Sequence, residues 1–430
     1  SPATVTTSNP RLVKISPQLA ATMETPSVPP RRNDTMAHVG INRTPNFGPD
    51  ELRAQVHALL EQHWTTEGYA APNAVVYPWQ WLWDSCFHSL IWQALGETDR
   101  AVTELRSALA TQTASGFVPH MNYQIEPQAS LKFWGRTGAS SITQPPMYGH
   151  VVAELLRAGV EVDDDVMGRA QKGVRFFLEV RPRHESGLVA LCHPWESGAD
   201  DSPRWDDLCP DGWTVDRWRI RKGYLVESLR RGNEGEALEN PDFAVASVGF
   251  NALVAWNAIE LGGAVNDDPL VEAGQALASM IDDQWDPAAG TWVDAGPTES
   301  GSGRCRTGDA LLPLLVSGRK EAISSVIDQL KDPQRFGGPF GPPGVDRTEK
   351  VFDPDAYWRG PVWPQLSYLL VQGVKRVGGE GLLVEAMAKA TVDGAMASGL
   401  AEYWNPDTGE GRGAMPQSWA GLALLLQSSF

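Results

Sequence analysis

The sequence predicts an all-α protein whose helices pair into a double ring, an α/α barrel with long tryptophan-rich loops gathered on one face. Three observations carry that expectation. About a dozen segments repeat apolar residues at three- and four-residue spacing, as Leu366, Leu369, Leu370 and Val374 do. Alternating strand patterns are scarce. Several segments, 245–262 and 417–428 among them, are apolar nearly all round, which suits inner helices covered by an outer layer. No short repeat runs through the chain, so a closed double ring fits better than a solenoid.

Taken in order, residues 1–48 are rich in Ser, Thr, Pro and Asn without a sustained period and read as a weakly ordered tail. A single domain then fills 49–430. Ala54, Val56, His57, Leu59 and Leu60 begin its first helix. Further helices are expected near 82–96, 99–112, 146–159, 166–180, 245–262, 269–284, 308–318, 320–331, 361–378, 380–397 and 417–428. Long Gly/Pro/Trp-rich connections interrupt them near 113–145, 193–221, 286–307 and 333–360. Loops over about a dozen residues in a compact domain are usually functional or disordered. These hold many of the tryptophans beside Asp, Glu, Arg and Gln, so the loops are expected to build the site.

Composition removes several classes. The chain has 430 residues, 36 basic and 53 acidic, for a net charge of −17, which argues against nucleic acid or an anionic membrane as partner. No apolar run approaches the roughly 20 residues that span a bilayer. The first residues lack the basic start, apolar stretch and small-residue cleavage site of a secretory signal, so a cytoplasmic location is expected. Cys86, Cys192, Cys209 and Cys305 lie far apart, without metal or disulfide-scaffold spacing. His88, His120, His150 and His193 are too scattered to suggest a metal site. There is no Gly-x-Ser-x-Gly elbow, Walker loop or His-Glu-x-x-His, and no cofactor is expected.

Seventeen tryptophans outnumber both the eight tyrosines and the twelve phenylalanines. Indoles fill cores, and they also stack on sugars and other flat apolar surfaces. Four constellations place them beside chemistry. Tyr77-Pro78-Trp79-Gln80-Trp81-Leu82-Trp83-Asp84 opens a helix, where the dipole favours an ionised Asp84; an N-cap with buried aromatics is the plainer reading. The run from His193 through Trp195, Glu196, Gly198, Asp200 and Asp201 to Asp206 packs its acids too closely for one helix face. Adjacent acids beside indoles can acquire separated pKa values, as acid catalysis requires. Its spacing fails the EF-hand pattern. Tyr357-Trp358-Arg359-Gly360-Pro361-Val362-Trp363-Pro364 sets an arginine between indoles, with Pro361 suited to a first helical turn. Glu402 precedes Tyr403 and Trp404, ahead of Gln417-Ser418-Trp419. Gln144-Pro145-Pro146 reads as a loop wall.

Together these blocks resemble the bacterial members of glycoside hydrolase family sixty-three, the glucosylglycerate and mannosylglycerate hydrolases. The resemblance runs from about residue 50 to the C-terminus. It rests on Tyr77-Pro78, Trp81-x-Trp83-Asp84, Ile142-Thr143-Gln144-Pro145-Pro146, Trp195-Glu196-Ser197-Gly198-x-Asp200, Ser202-Pro203-Arg204-Trp205-Asp206, the Tyr357–Pro364 block, Ala401-Glu402-Tyr403 and Gln417-Ser418-Trp419. It implies an (α/α)6 barrel and inverting hydrolysis of a small α-glucoside or α-mannoside. Asp200 then matches the general acid and Glu402 the general base. Trp81, Trp83, Asp84, Gln144, Tyr357, Trp358, Trp363, Gln417 and Trp419 match sugar-pocket positions, with Tyr77, Trp195, Gly198 and Arg359 as further substrate contacts. Inversion asks for one protonated and one ionised carboxyl roughly 6.5–9.5 Å apart, leaving room for water. Asp201 and Asp206 are rival acids, and Glu196 reads as a loop support. Arg136, Arg204, Arg217 and Arg359 are candidates for a local positive group. The identity of the sugar and of the aglycone stays open, and a homo-oligomer is compatible with the chain. A trehalase or disaccharide α-glucosidase on the same barrel, and a saccharide-binding protein without catalysis, are the alternatives.

Overall fold

The computed structural model describes residues 49–378 and 381–430; the tail expected over 1–48 lies outside them. The described chain is mostly helical with a few two- and three-residue strands. Its helices of ten residues or more are α1 (Pro49–His63), α2 (Leu82–Leu95), α3 (Thr98–Ala108), α4 (Tyr148–Arg157), α5 (Asp164–Arg175), α6 (Val215–Glu227), α7 (Val248–Val265), α8 (Asp268–Asp282), α9 (Lys320–Lys331), α10 (Pro364–Arg376) and α11 (Gly381–Ala397).

Apolar content decides which helices lie inside. α7 carries one ionisable residue, Glu260, and buries nearly its whole surface up to Gly262. α2 is buried at all but two positions, Gln93 and Ala94. α5 instead buries a stripe of Val166, Ala170 and Val174; its acids Asp164 and Asp165 open the helix and Lys172 and Arg175 close it, matching the helix dipole. Asp163 caps it, accepting from the Val166 amide at 3.0 Å. α2, α4, α7, the 3-10 stretch Asp309–Leu315, α10 and the final turns Ser418–Leu422 and Ala423–Leu426 pack successively, and the final turns return to α2. Each has an outer neighbour: α3 on α2, α5 on α4, α8 on α7, α9 on Asp309–Leu315, α11 on α10 and α1 on the final turns. α7 is long and apolar enough to cross a membrane by length and composition, but 72% of it is buried within the fold. It is a core helix.

Three expectations need correction. Residues 193–221 were expected to be loop, yet α6 begins at Val215, capped by the Thr214 hydroxyl. Its sequence hides it: Trp218, Leu225 and Val226 are its buried apolar residues amid basic neighbours, so no clear apolar stripe shows. The segment 308–318 is 3-10 rather than α, with Pro313 inside it. The last helix, expected over 417–428, breaks into 3-10, α and 3-10 turns.

Short antiparallel ribbons brace the loop face. Gln80–Trp81 pairs with Met121–Asn122, and Tyr403–Trp404 with Gly411–Arg412. The first leads straight into α2, and the second fixes the backbone beside Glu402.

Candidate active site

The segments just before the N-termini of the inner elements meet. The Trp83 amide donates to Gln144 Oε1 at 3.3 Å, joining the start of α2 to the loop before α4. Trp83 meets Trp419 edge-on at 5.7 Å, and Trp419 meets Trp363 at 6.0 Å. Trp363 is stacked between Trp358, at 3.7 Å and nearly parallel, and Tyr403, at 4.6 Å. Trp358 sits at φ 58°, a left-handed conformation that costs a bulky residue of order 1–3 kcal/mol and persists where packing over-determines it. Trp81 adds a second edge, against Tyr77 at 5.6 Å. The expected residues of three constellations thus form one aromatic wall.

Two carboxyls stand in this wall on separate supports. Glu402 Oε1 accepts from the Tyr77 hydroxyl at 2.8 Å and its Oε2 from the Ala414 amide at 2.8 Å. The Trp419 indole donates to the Glu402 carbonyl at 2.9 Å, tying acid and wall together. Burial pushes Glu402 up to about 7 against those two hydrogen bonds, and the charge of Asp200 adds to the rise. Asp200 accepts from Lys222 Nζ at 2.7 Å and from the Tyr357 hydroxyl at 3.3 Å. Burial is the largest influence and opposes its ionisation, but the Lys222 ammonium together with its polar neighbours offsets it and holds Asp200 below the usual carboxylate range. Its neighbour Asp201 also binds Lys222 and is pushed up to about 6 by burial, with Asp200 adding to it. Burial drives the phenols of Tyr77 and Tyr357 far above their usual range, so both remain donors.

The other expected residues fall around these acids. Asp84, in the first turn of α2, is pushed up to about 7 by burial; His88 opposes the shift and Glu402 adds to it. Gln417 caps the final turns, its side chain accepting from the Ser418 amide at 3.2 Å. Trp195 packs on His193 at 4.3 Å and lies 5.8 Å beneath Lys222 Nζ. Gly198 has φ +76°, and a Cβ there would stand 2.5 Å from the Trp83 ring. Gly198→Ala is therefore expected to displace the Trp83 indole and lower kcat/KM about tenfold or more, with a reduced melting temperature; wild-type kinetics would contradict this.

Several charges serve as scaffolding. Glu196 is fully buried, taking Arg181 at 2.7 Å and the Cys192 and Thr143 amides at 2.7 and 3.2 Å, a loop support as expected. Arg359 clamps Asp206 through two bonds of 2.8 and 2.6 Å while covering Trp213 at 3.5 Å. Arg204 is buried on Asp294 at 2.7 Å. Arg136 donates to the carbonyls of Ser140 and Thr111, and exposed Arg217 to those of Asp211 and Gly212. The local cation at the acids is Lys222, which the sequence reading missed because it ends a run of solvent-facing basic residues. Among the described residues, His150, Glu154 and Glu260 have metal-ligand spacing, and Arg157 pairs with both of those acids.

Dry carboxyls of unlike environment, walled by indoles on a helical frame, are the equipment of a glycoside hydrolase. The chain belongs to the mannosylglycerate hydrolase MGH1-like glycoside hydrolase family, whose domain matches residues 77–420. It is 29% identical to a mannosylglycerate hydrolase of Thermus thermophilus over 412 residues, covering 83% of this chain and 96% of that protein. It is 28% identical to a glucosylglycerate hydrolase of Mycolicibacterium hassiacum over 461 residues, covering 89% of this chain and 98% of that one. The crystal structure of a GH63 mannosylglycerate hydrolase from Thermus thermophilus in complex with glucose superposes with a TM-score of 0.74 at 26% identity, covering 88% of this chain and all of that one. The branch of family sixty-three read from the motifs is the one found.

Proposed function

We propose that this protein is an inverting, exo-acting α-glycosidase for a small α-glucoside or α-mannoside, built on an (α/α)6 barrel whose tryptophan-rich loops hold the sugar. The observation that carries the reading is the pair Asp200 and Glu402, buried on different supports yet close enough to couple electrostatically. Glu402 takes the proton of a water that attacks the anomeric carbon. Asp200 protonates the glycosidic oxygen as that bond breaks, so the aglycone leaves as an alcohol. Trp81, Trp83, Trp358, Trp363 and Trp419 supply stacking faces, and Asp84, Gln144, Tyr357 and Gln417 supply hydrogen bonds to hydroxyls. The relatives named mannosylglycerate and glucosylglycerate hydrolases make glycerate the first aglycone to try. A panel of glucosylglycerate, mannosylglycerate, trehalose, kojibiose and maltose tests the reading. Release of sugar from a glycerate glycoside supports it, and release from trehalose alone would move the chain to the disaccharidase reading.

The base must be ionised, so activity rises as pH passes the value near 7 to which burial has pushed Glu402. The acid side must keep a proton, which the aspartate pair loses above about 6. The limbs cross, and kcat/KM is expected to be a bell with its maximum between pH 6 and 7. A profile flat from pH 4 to 9 would contradict the acid–base pair.

A further inference from the structure

Asp200, Asp201 and Lys222 form one buried cluster, at 9, 8 and 9% exposure. Lys222 reaches both carboxylates from α6, and its own carbonyl accepts from His193 Nε2 at 2.9 Å, which fixes the backbone that carries it. Asp201 and Asp200 are joined through the Lys222 ammonium and interact electrostatically. Two carboxyls with one ammonium would leave a net negative charge in a buried site that already holds Glu402 and Asp84. One carboxyl must therefore carry a proton. The groups facing the pair are Lys222 from α6, Tyr357 and Tyr403 from the loops, Tyr77 and Glu402 across the site, and His193, which burial keeps neutral. None of these competes with Lys222 as a cation. Lys222 bonds Asp200 at 2.7 Å while Tyr357 donates to its other oxygen, and both contacts favour its ionised form. An acid catalyst held ionised cannot protonate a leaving group unless a neighbour supplies the proton.

We propose that Asp201 is the proton store for Asp200, and that Lys222 is the positioning residue that lets the proton cross. The carboxylic acid of Asp201 gives its proton to the Asp200 carboxylate, while the Lys222 ammonium, bonded to both, stays charged and balances the new Asp201 carboxylate. Asp200 then passes the proton to the glycosidic oxygen as the carbon–oxygen bond breaks. Asp201 is reprotonated from water after the products leave, and Glu402 returns its proton to solvent. This inference rests on the assignment of Asp200 and Glu402 above and deepens it.

The test uses Asp201→Asn, Lys222→Met and Lys222→Arg, each assayed on the glycoside released in the panel and on the matching α-glycosyl fluoride, whose leaving group needs little protonation. In D201N the loss of kcat on the natural glycoside is expected to exceed the loss on the fluoride at least ~10-fold, with KM changed less than ~3-fold. The limb set by the aspartate pair should move to lower pH, because Asp200 keeps Lys222 without a proton donor beside it. K222M should move that limb to higher pH, and K222R should return it toward wild type. Opposite shifts are what a merely structural role would not produce. Infrared titration of the free enzyme gives a second readout independent of turnover: the protonated-carboxyl band that titrates near pH 6 should vanish in D201N, and in Asp200→Asn it should move to lower pH, because the Asp200 charge that helps raise it is gone. Equal losses on both substrates with unmoved limbs, or a band near pH 6 kept in D201N, would overturn the proposal. Full activity in both D200N and Glu402→Gln would instead sink the underlying reading.

Discussion

Glu402→Gln lowers turnover by about a hundred- to ten-thousand-fold, the usual worth of a general base, while raising stability at alkaline pH. The two effects have one cause. The carboxylate of Glu402 accepts from Tyr77 and from the Ala414 amide, and a glutamine keeps both contacts: its carbonyl accepts from Ala414 and its amide donates to the phenol oxygen. What it loses is the charge that draws a proton from water. That charge is costly in the folded protein, because burial pushes the group from 4.5 to about 7. A carboxyl whose folded pKa is raised contributes its full stability below the unfolded value, and that contribution is lost as pH rises through the folded one. Above pH 7 the wild type thus carries a penalty of at most about 3 kcal/mol that the glutamine variant lacks. Denaturant unfolding of both proteins at pH 5 and pH 8 measures it. The variant should be the more stable at pH 8, with the gap narrowing at pH 5; a wider gap at pH 5 would contradict the assigned burial.

Arg204→Met is expected to cost about 3–5 kcal/mol of stability, the largest loss foreseen for a residue outside the reaction. Arg204 is fully buried. Its Nε meets Asp294 at 2.7 Å, and its two terminal nitrogens donate to the carbonyls of Cys305 at 2.6 Å and Trp292 at 3.2 Å. Asp294 in turn accepts from the Val248 amide at 2.9 Å, at the start of α7. Removing the guanidinium strands an ionised carboxylate and two carbonyls in a dry interior. Pairing R204M with Asp294→Asn should recover part of the loss, since the uncompensated charge goes with it. Losses that simply add would show that the pair is not coupled.

The same two residues show how much the sequence disclosed. Periodicity located the helical segments because inner elements such as α7 are apolar on all sides and outer ones such as α5 carry a stripe. Motif order brought Tyr77, Trp83, Gln144, Asp200, Trp363 and Glu402 toward one site, and their contacts in the fold agree with that grouping. Charge was less legible. Arg204 and Arg359 were both candidates for a local positive group, and each pairs with an aspartate far along the chain, Asp294 and Asp206. Such pairings are set by tertiary packing and leave no local pattern. Lys222 was overlooked for the converse reason. α6 has too few apolar positions to announce a helix, so nothing marked which member of its basic run turns inward.

Inversion at the anomeric carbon by water poised on Glu402 is read out by proton NMR of the purified enzyme with a glycerate α-glycoside, recorded within minutes of mixing. The β-anomer of the free sugar should appear first, with the α-anomer following only at the rate of mutarotation. First appearance of the α-anomer would mean retention, with a carboxylate attacking carbon in place of water, and would contradict the roles given to Asp200 and Glu402.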